Sequence, residues 1–74
     1  MNRLHIYVGK SQTDIEVINE IKRLYPRLAK EHESVEIIIT LMHGCKKDLE
    51  DLLSRAISNT NILRDTDVVS FMRI

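Results

Sequence analysis

Val35-Glu36-Ile37-Ile38-Ile39-Thr40-Leu41-Met42 lies at the middle of the 74-residue chain and is its most apolar and most β-branched run. Six of the eight residues are apolar and four are β-branched aliphatics. Such side chains are stiff at χ1 and fit a pleated surface better than a helix. The run is short, charged residues precede it, and His43-Gly44 closes it, so it reads as a strand rather than a buried helix. Strand alternation puts Val35, Ile37, Ile39 and Leu41 on one face and Glu36, Ile38, Thr40 and Met42 on the other. A strand apolar on nearly both faces belongs in the centre of its sheet.

On the N-terminal side, Leu4, Ile6 and Val8 alternate with His5 and Tyr7, the pattern of a half-buried strand. Gly9-Lys10-Ser11-Gln12 is a turn. Thr13 and Glu16 fit a capping box, with Ser11 and Asp14 as a competing cap. Ile15, Ile18, Ile21, Tyr25 and Leu28 then follow helical spacing, overlapped by a second stripe of Val17, Ile21, Leu24 and Leu28. Pro26 interrupts this pattern: it removes the bond to residue 22, so the helix either kinks there or stops near Leu24.

On the C-terminal side, Leu49, Leu52, Leu53, Ala56 and Ile57 predict a helix over 46–59, with Asn59 as its stop. Residues 60–67 read as a loop with Ile62 and Leu63 tucked beneath it, and 68–74 as a third strand. The order β-α-β-α-β predicts a small α/β domain with a mostly parallel three-stranded sheet. Right-handed crossovers running the same way across the sheet give the order 1-2-3, with both helices on one face. The order 2-1-3 would cover both faces, but His5 and Tyr7 make the first strand a poorer centre.

Composition bounds the function. The chain is one aliphatic-rich domain, with ten Ile, eight Leu and five Val against two Tyr, one Phe and no Trp. Its small core gives about 3–5 kcal/mol, and chains of this size often lean on a partner or a second copy. Eleven basic and eleven acidic side chains give a net charge of zero, which argues against a nucleic-acid partner. Cys45 is the single cysteine, so no internal disulfide forms; a reducing, cytoplasmic setting is expected. No run reaches the roughly 20 apolar residues of a membrane span, and no signal-peptide core precedes Gly9.

Chemistry could sit at the loops 9–13 and 43–47, which lie side by side at the carboxyl ends of the first two strands. Both feed helix N-termini, where free N–H groups and the dipole attract anions. Lys10, Ser11, Lys46 and Lys47 would hold a small anionic ligand or a nucleotide there. Gly9-Lys10-Ser11 matches the end of a phosphate-binding loop, but Leu4 stands where the first glycine of G-x-x-x-x-G-K-[ST] belongs, so a nucleoside-triphosphatase reading falls. Cys45 beside Lys46 and Lys47, with His43 as its base, would be the one nucleophile of a thiol-dependent enzyme. The spacing His43-x-Cys45, with His5 on the neighbouring strand, is too sparse for a closed metal site, and no metal or other cofactor is expected.

With the 1-2-3 order, one sheet face stays bare. Tyr7, Ile38 and Met42, with Val69 and Phe71 or Met72, would form an apolar patch of the kind that marks interfaces. The expected function is therefore that of a small, non-catalytic interaction or regulatory protein acting through Tyr7, Ile38, Met42 and Phe71. Its partner would be a second copy or a larger protein.

Overall fold

The computed structural model describes residues 2–74. Five elements follow in order: β1 (Arg3–Val8), α1 (Asp14–Glu31), β2 (Glu36–Leu41), α2 (Leu49–Thr60) and β3 (Val68–Arg73). The three strands form one sheet in the order β1-β2-β3. Both pairings are parallel, so the apolar central run is the middle strand, as its two-sided hydrophobicity requires. The register aligns Ile6, Ile39 and Phe71 in one row across the sheet, and Tyr7, Thr40 and Met72 in the next.

Alternation sorts these rows. Leu4, Ile6 and Val8 of β1 and Ile37, Ile39 and Leu41 of β2 are buried in one cluster with Val17, Ile18, Ile21 and Tyr25 of α1 and Leu49, Leu53 and Ile57 of α2. One cluster containing both helices means that both lie on the same face. Burying a Leu or Ile side chain is worth roughly 1.5–3 kcal/mol, so this layer holds the fold together. Ile62, Leu63, Val69 and Phe71 are half-buried against it.

The helix boundaries differ in part from the sequence expectation. The Thr13–Glu16 capping box forms: the Thr13 hydroxyl accepts from the Glu16 N–H at 3.2 Å, and Glu16 Oε1 accepts from the Thr13 N–H at 3.0 Å. α1 then runs unbroken through Pro26 to Glu31, because Ile21 and Tyr25 before the proline and Leu28 after it pack against the same core. α2 begins at Leu49 rather than at residue 46. Lys46 and Lys47 sit in a preceding turn, closed by the Leu49 N–H on the Lys46 carbonyl at 3.2 Å. Two lysines in a first helical turn would oppose the helix dipole, and the apolar stripe itself begins only at Leu49. The helix ends at Thr60, and Asn61 takes the left-handed conformation (φ 52°) that asparagine tolerates at a C-cap.

Candidate functional site

The open face of the sheet is built from the outward residues of the three strands. Arg3, His5 and Tyr7 come from β1, and Glu36, Ile38 and Thr40 from β2. Met42 follows β2, and Val68, Ser70 and Met72 come from β3. Tyr7 is 62 % exposed and Met72 56 %, while Thr40 between them is only 7 % exposed. The row is therefore high at both edges and sunk at the centre. Ile38 is half-buried in the row below, between His5 and Ser70. Met42 and Ile74 extend the apolar surface past the strand ends.

Three of the four expected interface residues, Tyr7, Ile38 and Met42, share this face. Phe71 does not. Its register partner is the buried Ile39, and with Val69, Ile57 and Ser54 it lines a small hollow against α2. The period of two in β3 puts Met72 outward instead. Sequence alone leaves the phase of an edge strand open when both alternating sets are apolar.

Charge is nearly absent from the open face. Of the 11 basic and 11 acidic side chains, it carries one of each, and these pair: Arg3 Nε donates to Glu36 Oε1 at 2.9 Å. Arg73 aligns with Leu41 and donates to the Lys47 carbonyl at 3.2 Å, away from this face.

The loops at the carboxyl end do converge. Lys10, Ser11, Gln12, Thr13, Asp14, Lys46, Asp48, Leu49 and Leu52 line a cleft of about 400 Å³. Gly44 holds the second loop in a left-handed turn at φ +96°, a conformation that side-chain-bearing residues rarely adopt, and a Cβ added there would lie against the Lys10 stem at 3.4 Å. Lys47 is not among the lining residues. Asp14 and Asp48 share the cleft with Lys10 and Lys46, and the capping box already occupies N–H groups at the start of α1. Asp48, by contrast, makes no side-chain cap at α2.

Cys45 is half-buried, and its thiol donates to the Val8 carbonyl at 3.3 Å, a contact that ties the loop to the end of β1. His43 is exposed in the turn before it, and the residue that partners the thiol is Val8. Among the described residues no three His, Cys, Asp or Glu side chains are placed to share a metal ion. Nor is any helix among them long and apolar enough to cross a membrane.

The strongest electrostatic feature lies at the opposite end of the sheet and is not apparent from the sequence. The Asp67 side chain is fully buried between α1 and the strands. It accepts from the Tyr25 hydroxyl, from the Val35 N–H at 2.8 Å and from the Arg64 N–H at 2.7 Å. Arg64 also pairs with it through Nη2 at 3.1 Å and donates to the Ala29 carbonyl at 3.0 Å. Burial by itself would push the Asp67 carboxyl up. The donors from Arg64, Tyr25 and the Val35 backbone outweigh it and hold the carboxyl well below the usual carboxylate range. Burial, then the bond to Asp67, pushes the Tyr25 phenol up. Perturbed groups often mark functional sites. Here every contact is internal and joins α1 to the segments entering β2 and β3, so the cluster is a structural clamp. Its one sequence signal is the Arg64-x-x-Asp67 spacing just before β3, which names neither Tyr25 nor Val35.

Comparison with protein-family models, with curated proteins and with solved structures returned no match.

Proposed function

We propose that this chain is a small non-catalytic interaction or regulatory protein of the cytoplasm that works through the open face of its sheet. One observation carries the reading: the sheet is all-parallel, yet helices cover only one side of it. All-parallel sheets occur almost only with both faces covered. What lies open is depleted in charge and carries Tyr and Met, the composition of an interface centre rather than of an ordinary surface. The face is suited to a protein partner. A nucleic acid would find a single guanidinium there, and that one is already paired with Glu36.

The test is to place a charge on the face at Tyr7→Glu, Ile38→Asp and Met72→Glu, with Lys22→Glu on the exposed side of α1 as control. Thermal melts and affinity capture from host extract are compared. The expected result is three folded variants that lose stoichiometric partners which the control retains. Variants that unfold outright would make the face part of a core, and partners unaffected by all three would end the reading.

The cleft at the carboxyl end supports a small-anion site less well, because its two lysines are matched by two aspartates. Millimolar phosphate is therefore expected to leave the melting temperature unchanged, whereas a ligand of the native state would raise it by mass action.

A further inference from the structure

We infer that the occupant of the open face is a second copy of this chain, the two sheets packing face to face about a two-fold axis. This rests on the interaction reading above and names the partner that it leaves open.

Three properties of the face support self-pairing. The first is charge. A two-fold interface brings the same patch against itself, so any net charge on the patch meets its like. This face carries one cation and one anion, already neutralised against each other at 2.9 Å. It offers an acidic or a basic partner nothing to pair with, and it does not repel its own copy.

The second is shape. The row Tyr7–Thr40–Met72 runs high, low, high, at 62 %, 7 % and 56 % exposure. Stacked sheets lie about 10 Å apart and are turned by about 30°. With the two sheets offset sideways by about one strand spacing, roughly 4.8 Å, the two-fold sets an edge side chain of each copy over the trough at β2 of the other. In that offset arrangement a face with a sunken centre and prominent edges can interdigitate with its own image.

The third is area. Tyr7 at 62 %, Met42 at 38 %, Val68 at 55 %, Met72 at 56 % and Ile74 at 71 % remain accessible. Together they offer on the order of 500 Å² per copy, and about 1,000 Å² for a pair. That sits at the lower edge of specific interfaces, where association is reversible and weak rather than obligate.

Sedimentation equilibrium on the purified full chain from about 5 to 500 µM decides the matter. The expected result is a concentration-dependent monomer–dimer equilibrium that Tyr7→Glu and Met72→Glu each weaken at least tenfold, with unchanged circular dichroism. Both side chains are more than half exposed, so neither substitution threatens the fold. A monomer mass across the whole series overturns the proposal, as does a dimer indifferent to both substitutions, which would point to pairing along the strand edges. If the chain is monomeric but the extract partners still depend on Tyr7 and Met72, self-pairing alone fails. If those partners are indifferent as well, the interaction reading fails with it.

Discussion

Asp67 shows how much one side chain can hold. It is a carboxylate with no exposed surface, and it ties together Tyr25 on α1, Arg64 in the last loop and the backbone entering β2. Asp67→Asn removes the charge and leaves buried donors with one acceptor oxygen fewer. Arg64 stays about a third exposed and can still be hydrated, so the cost falls at about 2–3 kcal/mol rather than at the full penalty of a buried orphan charge. The sign with pH follows from the lowered Asp67 value. The carboxylate's contribution is fully present above its unfolded value of about 4 and is lost as pH falls towards its much lower folded value. The melting temperature of the wild type should therefore drop more steeply below about pH 4 than that of Asp67→Asn. At the alkaline end the raised Tyr25 phenol reverses the sign. Its contribution is present below its unfolded value of about 10 and is lost as pH rises beyond it, a steepening that Tyr25→Phe should remove. Paired pH–melting curves of the three proteins check both limbs.

The secondary-structure elements were largely legible in the sequence, because their patterns are local. The alternation in β1, the capping box of α1 and the apolar stripe of α2 each involve residues a few positions apart. Their propensities act before any tertiary contact forms. The boundaries that could not be read are those where packing overrides a local signal. Pro26 should kink α1 or stop it near Leu24; the helix does not stop, because its apolar face remains bound to the sheet on both sides of the proline. Pro26 is exposed, so Pro26→Ala can restore the bond to the Lys22 carbonyl without disturbing the core. An interior proline costs about 3 kcal/mol, part of which is offset by its stiffening of the unfolded chain. The net expectation is a gain of about 1–2 kcal/mol, read as a higher denaturation midpoint with an unchanged m-value.

As an assembled chain, the molecule is two layers deep and has one core. Leu53 is fully buried in α2 against that core. Leu53→Ala should cost about 2–5 kcal/mol, comparable to the roughly 3–5 kcal/mol that a core of this size supplies. The expected outcome is a variant substantially unfolded at 25 °C by circular dichroism. If it instead melts cooperatively near the wild type, stability comes from elsewhere, and a dimer through the open face would be the first place to look. Such a dimer also makes the melting temperature rise with protein concentration.

The 1-2-3 order and the layering were favoured by the residues: the central run is apolar on nearly both faces, while His5 and Tyr7 leave the first strand apolar on one. The order 2-1-3, with both faces covered, was excluded only by the pairing of β2 with both neighbours. The open face with Tyr7, Ile38 and Met42 was legible for the same reason. Two further features needed the folded chain. The phase of β3, which turns Phe71 inward and Met72 outward, is set by its pairing with β2, because its alternating sets Val68-Ser70-Met72 and Val69-Phe71-Arg73 each hold two apolar residues and one polar one. The Tyr25–Arg64–Asp67 clamp joins residues 42 positions apart in the chain. No local pattern encodes such a contact: it forms only when the fold brings the end of α1 and the last loop to the same end of the sheet.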